Sequence, residues 1–311
     1  MVSFFATPKP FVGKTAEHQR NAIRSWLACA PGAEVILFGD AEAMHEHVAD
    51  LGVQCVSVPC TESGAVTFSQ IVEQGATLSK HDLQCYVNCD IMLPNCVERV
   101  LGFRPGGSFL IVGERLYLPE GFDLRFEDPE WASQAYNSYL AGASKSSGPT
   151  AVDYFFYRKG QWKGLKFIAM GRAYCDGAIL AHALRSRIPI LDATQSLLAV
   201  HQFHGYGHMA GGKQEVWDGS DAQRNRDEND LHYSYPTVAD GQFAVTATEL
   251  SFYPCRGDWL RAVEVFCRFT YRMPKFSKGV RFVWRIRQAI FRSKKFAEQP
   301  GFSNPTASGL N

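Results

Sequence analysis

No two cysteines in this 311-residue chain are spaced as Cys-x-x-Cys, which removes the usual redox and zinc-ribbon patterns. The cysteines number nine, an odd count, and several sit in apolar runs such as Leu83-Gln84-Cys85-Tyr86-Val87. Buried thiols in a reducing, cytoplasmic compartment fit this better than a disulfide framework. Net charge is almost absent, at +1, and no recognition motif accompanies any basic run, so nucleic acid is not an expected partner. No stretch reaches the roughly 18 uncharged apolar residues of a membrane span. The start, Met1-Val2-Ser3-Phe4-Phe5, has neither a basic leader nor a long apolar core, so no signal peptide is expected. Internal repeats and long low-complexity tracts are missing too. Residues 7–13 offer only Gly13, whereas a nucleotidyltransferase would want a glycine-rich phosphate loop near the first strand.

What is present is an ordinary globular composition, 46% hydrophobic and 20% charged, with one asymmetry. Residues 256–296 hold twelve Lys and Arg against two acids, Asp258 and Glu264, while the first 255 residues carry 20 bases and 28 acids. Apolar periodicity predicts strands at 2–6, 34–38, 53–58, 83–88 and 108–113, separated by helices at 15–29, about 41–51, 67–79 and 94–101. Alternation of this kind implies parallel βαβ units, with ligands beyond the carboxyl ends of the strands. Thr7, Asp40 and Asp90 end strands and become expected neighbours. From 119 to 150 the pattern dissolves, predicting a long loop over the site. A strand at 152–157, a helix at 175–187 and a short strand at 189–191 follow. Residues 204–235 are rich in Gly, His and Asn.

Four places carry candidate chemistry. Asp90, in Asn88-Cys89-Asp90-Ile91, is placed to hold Mg²⁺ or Mn²⁺ against a diphosphate, or else to cap the next turn. Asp40 can accept from a base N–H or a ribose hydroxyl, or cap the helix starting near Ala41. In Gly171-Arg172-Ala173-Tyr174-Cys175-Asp176, Arg172 can face phosphate, and Asp176 can be a general base or a helix cap. His201-Gln202-Phe203-His204-Gly205-Tyr206-Gly207-His208 can supply a metal ligand or a diphosphate contact, or be a surface loop; it does not have the spacing of a closed zinc site.

Taken in order, these segments resemble one family. Phe4-Phe5-Ala6-Thr7-Pro8-Lys9-Pro10-Phe11, Gln19-Arg20-Asn21-Ala22-Ile23-Arg24-Ser25-Trp26 and Val35-Ile36-Leu37-Phe38-Gly39-Asp40 look like the opening of a GT-A-fold glycosyltransferase-like family. Tyr86-Val87-Asn88-Cys89-Asp90-Ile91 resembles its counterpart of the Asp-x-Asp motif, with Asn88 in place of the first acid. Asp153-Tyr154-Phe155, Gly171-Arg172 with Asp176, and Asp192-Ala193-Thr194-Gln195 followed by His201-Gln202 resemble it as well. The likeness runs over about residues 4–230. It implies an α/β, GT-A-like, mostly parallel nucleotide-binding sheet flanked by helices, a nucleotide-diphosphate sugar donor, and Mn²⁺ or Mg²⁺. Thr7 and Asp40 would hold the nucleoside, with Asn88 and Arg172 also in the donor site. Asp90, His201 and His204 are the candidate metal ligands. Asp176, with Asp153 as second choice, is the candidate base for inverting transfer to a saccharide or lipid-linked acceptor in surface glycan synthesis.

The expected domains are a transferase domain at 1–255, a basic aromatic helical tail at 256–296 and a flexible end at 297–311. The tail's two helical patterns, 258–272 and 276–292, set Trp259, Val263 and Phe266, then Phe276, Val280, Val283 and Trp284, on apolar faces. Such basic amphipathic helices suit an anionic membrane surface, predicting a peripheral protein at the inner face of a membrane. The competing class is a non-catalytic, membrane-docked binding module with a degenerate transferase fold.

Overall fold

In the computed structural model the described residues are 1–93, 102, 106–119, 121–122, 125–194, 196–202, 212–232, 235–241, 243–245 and 250–252. The helix expected at 94–101, both tail helices and His204 lie outside them.

The architecture follows from the first strand. β1 (Val2–Ala6) is buried along its whole length, so the period-two alternation of a strand gives each face an apolar partner. Phe4 stacks on Trp26 of α1 (Gly13–Cys29), with ring centroids 5.9 Å apart, while Phe5 meets Phe38 of β2 (Glu34–Gly39) edge-on at 5.7 Å. β1 lies between β2 and β4 (Leu83–Val87), parallel to both, and β2 carries β3 (Gln54–Ser57) at the edge. α2 (Ala41–Val48) and α3 (Phe68–Leu78) supply the crossovers. The second starts at a capping box of Thr67 and Gln70. It packs so closely on the sheet that a Cβ at Gly75 would lie 2.5 Å from the Phe5 ring.

The central sheet continues through β6 (Leu110–Val112), β9 (Tyr154–Arg158), β10 (Ile190–Asp192), β12 (Phe243–Val245) and β13 (Leu250–Phe252). Its order is β13-β12-β10-β6-β9-β4-β1-β2-β3. β9 runs antiparallel to both β4 and β6, and β13 antiparallel to β12; the other pairings are parallel. The mixed α/β class agrees with the sequence expectation, and the antiparallel strand at the sheet's centre is an addition to it. Buried Tyr154, Phe155 and Phe156 look the same in either direction, so the residue pattern does not encode which way β9 runs.

A second sheet, β5-β11-β7-β8, sits beside the first. Its strands are β5 (Ile91–Met92), β7 (Arg115–Tyr117), β8 (Lys145–Ser146) and β11 (Ala199–His201). Trp26 Nε1 donates to the Ile91 carbonyl at 2.9 Å, pinning it to α1. The loop expected over 119–150 is corrected here: it contains β8 and α4 (Trp131–Leu140). Trp131, Ala135 and Tyr136 make the buried face of that helix, and Ser and Asn on its other face dilute the apolar period. The remaining helices are α5 (Cys175–Arg185), α6 (Gly212–Asp218) and α7 (Ser220–Glu228), the last two within the expected Gly-, His- and Asn-rich stretch. No disulfide joins the described cysteines, and no helix among the described residues is long and apolar enough to cross a membrane.

Candidate active site

A cavity of about 1290 Å³ opens where β1, β2 and β4 end, walled on another side by β7, β11 and the start of α5. Pockets for single drug-sized ligands span about 300–1,000 Å³, and this one exceeds that range. Thr7, Asp40, Asn88, Asp90, Asp153, Arg172, Asp176 and His201 all line it, which brings together every described candidate from the sequence.

The chain turns sharply after β4. Ile91 N donates to the Asn88 carbonyl at 3.0 Å, which directs Asp90 into the junction between the two sheets. Lys9 Nζ donates to Asp90 Oδ2 at 2.9 Å, and His201 Nε2 lies 4.0 Å from the same oxygen. The Asp90 carbonyl accepts from Gln202 N at 3.2 Å, so β11 and the turn are fixed together by backbone as well as side chain.

Asn88 is bound to Asp153 through both side chain and backbone. Its Nδ2 donates to Asp153 Oδ1 at 2.6 Å, and its backbone N–H donates to the Asp153 carbonyl at 2.8 Å. Asp153 Oδ2 accepts from Arg115 Nη1, and Arg115 Nη2 donates to the Tyr117 hydroxyl. Burial pushes the Asp153 carboxyl above its ordinary pKa, with Arg115 only partly offsetting it. Burial also works against the charged Arg115 guanidinium, but the nearby Asp153 and Tyr117 outweigh it and raise that pKa. Tyr117 lies edge-on to His201, with centroids 5.4 Å apart.

Asp176 is at the second position of α5. It is not the N-cap, a place taken by Tyr174 in the left-handed region at φ 69°. Its Oδ1 accepts from the Tyr235 hydroxyl and from Gly177 N at 2.9 Å, and its Oδ2 from Val152 N at 3.3 Å. Burial raises its pKa, the hydrogen bonds with Tyr235 and Gly177 acting against the rise. Among the described residues no cation pairs with it in the way Arg115 pairs with Asp153.

Three expected donor residues have other partners as well. Asp40 caps α2, accepting from Ala43 N at 3.3 Å, while remaining exposed at the cavity edge. Arg172 donates through Nε to Ser63 Oγ at 3.1 Å and through Nη2 to the Ser63 carbonyl at 2.5 Å, and Asp221 and Glu215 are its charge neighbours. Thr7 Oγ1 lies 2.9 Å from the Tyr86 hydroxyl. Near Asp40 and Thr7, Phe11 and His47 stack at 5.3 Å with planes 13° apart.

No family model and no curated protein sequence matches this chain. Among solved structures it is similar to S. aureus TarS in complex with UDP-GlcNAc, at 10% identity and TM-score 0.29, over 40% of this chain and 36% of that one. It is similar to glucosyl-3-phosphoglycerate synthase from Mycobacterium tuberculosis with Mg²⁺ and UDP, at 14% identity and TM-score 0.40, over 66% and 72%. It is also similar to galactosyltransferase LgtC with donor and acceptor sugar analogues, at 13% identity and TM-score 0.31, over 52% and 59%. The chain spans about a third of the first of these. At this level of overlap none of them assigns a role to a residue here.

The residues present fit a divalent ion only in part. The 4.0 Å between Asp90 Oδ2 and His201 Nε2 is wider than the roughly 3.0–3.4 Å between neighbouring ligands about 2.1 Å from one ion, so the two would have to close up to share one. Among the described residues no three His, Cys, Asp or Glu side chains gather as a metal cluster. Mg²⁺-type sites of one or two protein ligands completed by substrate phosphates are common. Lys9, Arg115, Tyr117 and Tyr235 were not marked by the sequence reading. Lys9 alone had a signal, since it lies inside the Thr7-Pro8-Lys9-Pro10 element at the end of β1.

Proposed function

We propose that this chain is a glycosyltransferase that moves a sugar from a nucleotide-diphosphate donor to a saccharide or lipid-linked acceptor, with inversion at the anomeric carbon. The observation that carries the reading is the convergence of Asp90, His201, Asp153 and Asp176 on one large cavity at the carboxyl ends of β1, β2 and β4. The nucleoside would lie toward Thr7 and Asp40, with the Phe11–His47 pair as an aromatic surface for the base. The diphosphate would lie toward Asp90 and His201. A divalent ion held by those two residues would supply neutralisation of charge on the leaving diphosphate.

Asp176 is the better base of the two carboxylates. An alcohol becomes a competent nucleophile as its proton is taken, and a base works best when its pKa lies near the working pH. Burial raises both carboxyls, and of the two only Asp153 has a paired cation among the described residues. Asp153 is tied to Arg115, which favours its ionised form and lowers its appetite for a proton. The acceptor oxygen would bond to the anomeric carbon as its proton passes to Asp176. The bond from that carbon to the diphosphate would break, and the nucleoside diphosphate would leave with the electron pair. Asp153 would position this wall of the site through Asn88 and Arg115.

A thermal-shift screen of nucleoside diphosphates and nucleotide sugars, with and without Mn²⁺, tests the reading. A ligand present at a hundred times its Kd stabilises the fold by about 2.7 kcal/mol, a clear rise in Tm. A screen in which no nucleotide raises Tm under either condition would refute it.

A further inference from the structure

The Lys9 backbone is held with unusual firmness for a loop residue. Pro8 and Pro10 restrict the chain on either side. The Gln19 amide of α1 then clamps Lys9 in both directions: Lys9 N donates to Gln19 Oε1 at 2.6 Å, and Gln19 Nε2 donates to the Lys9 carbonyl at 2.9 Å. A fixed anchor thus carries a flexible four-carbon stem, and its ammonium reaches Asp90 while retaining 26% side-chain exposure on the cavity. The ammonium sits on the carboxylate oxygen that His201 also faces, the place where a cation shared by Asp90 and His201 would bond. One oxygen cannot serve both cations at close range without strong repulsion between them.

We propose that Lys9 is a mobile counter-charge of the donor site. It pairs with Asp90 when the site is empty, competes with a divalent ion for that carboxylate, and passes to a phosphate oxygen of the donor when the diphosphate enters. The inference rests on the donor site assigned above and adds a residue and an order of exchange to it. Lysine suits the task because its ammonium is a compact point charge on a flexible stem, able to turn from one oxygen to another.

The proposal has a signature that a merely structural lysine would not produce, because removing the charge moves two affinities in opposite directions. The test is to measure Mn²⁺ binding by electron paramagnetic resonance, and inorganic pyrophosphate binding by calorimetry in chelator, for the full chain and for Lys9→Met and Lys9→Arg. Lys9→Met should bind Mn²⁺ about fivefold more tightly, the scale of one partly exposed ion pair. It should bind pyrophosphate about tenfold more weakly, the scale of one charge-assisted hydrogen bond. Lys9→Arg should stay near the parent for pyrophosphate. Both affinities falling together, or neither changing, overturns the proposal, as does Lys9→Arg behaving like Lys9→Met. A parent that binds nucleotide sugar normally while Lys9→Met is unaltered defeats this inference and leaves the transferase reading standing. A parent that binds neither pyrophosphate nor any nucleotide defeats both.

Discussion

Replacing Asp153 by alanine should cost the protein more than any other single change in the cavity wall. Asp153 is 5% exposed, and its two oxygens take Asn88 Nδ2 at 2.6 Å and Arg115 Nη1. The Arg115 side chain is 16% exposed. The substitution therefore strands a guanidinium that water reaches poorly and orphans an amide donor beside it. Breaking one side of a buried pair costs about 3–5 kcal/mol, against a total stability of about 5–15 kcal/mol for a typical domain. At about 2 °C or more per kcal/mol for chains of this size, Tm should fall by roughly 6 °C or more. Because Arg115 belongs to β7 of the small sheet and Asp153 precedes β9 of the large one, the loss should also be local. Hydrogen exchange should quicken in β7, β8 and β11 before it does in β1 and β2. Urea unfolding followed by tryptophan fluorescence gives the free energy, and the double variant Asp153→Leu with Arg115→Met provides the control. Removing both charges should restore at least half of the loss, since a buried pair replaced whole is close to neutral. A loss below about 1 kcal/mol for Asp153→Ala, or a double variant as unstable as the sum of the two singles, would refute the reasoning.

Other changes probe the remaining walls. A Cβ at Gly177 would lie 2.4–2.8 Å from the Tyr235 ring; Gly177→Ala should lose about 1 kcal/mol, overpacking of about 1–3 kcal/mol being offset by about 1 kcal/mol of helix propensity. Adding Tyr235→Ala to it should relieve the strain, and strict additivity of the two substitutions in urea unfolding would contradict the clash. Asp176→Asn should lower kcat by orders of magnitude and change donor Kd by less than about threefold; equal losses in both would mark a structural role instead. Since burial raises the Asp176 pKa from its ordinary 3.8, its stabilising contribution is complete below that value and is lost as pH rises through the raised one. Asn removes that slope, so the stability of the variant relative to the parent should climb from about pH 4 upward, and a difference independent of pH would contradict the shift. Truncation after residue 255 should abolish co-sedimentation with anionic liposomes, which salt should also weaken in the full chain, while donor nucleotide still binds; loss of the fold on truncation would make the tail part of the core.

The first ninety residues were legible because each apolar run is bounded by Gly, Pro or a polar strand end, and because both faces of β1 are buried. Thr7, Asp40 and Asp90 could be placed together from that alternation alone. Other features depend on contacts that no local pattern carries. His201 meets Asp90 only because β11 pairs with β5, a pairing of two-residue length across more than a hundred residues of chain. Arg115 and Tyr117 alternate on a three-residue strand, too short for a period to show. Lys9 was visible in its motif, but nothing in a lysine between two prolines states that its stem bends toward Asp90. The sequence offers Asp176 as a helix cap because Asp favours that role; the backbone instead begins α5 at a left-handed Tyr174, leaving Asp176 to Tyr235 and Val152.

The hydrogen bond from Asn88 to Asp153 couples what each of these two positions tolerates. Asn88→Asp, which would restore an acid to the motif, would set a second carboxylate 2.6 Å from the first. Two carboxylates that close cannot both ionise, and one must keep a proton or move away. The single substitution is therefore a valley, and so is Asp153→Asn, which deprives Arg115 of its charge partner. Only the exchange of both together keeps one amide and one acid, and it moves the negative charge from the start of β9 to the end of β4. A change of charge at position 88 is thus coupled to the residue at position 153.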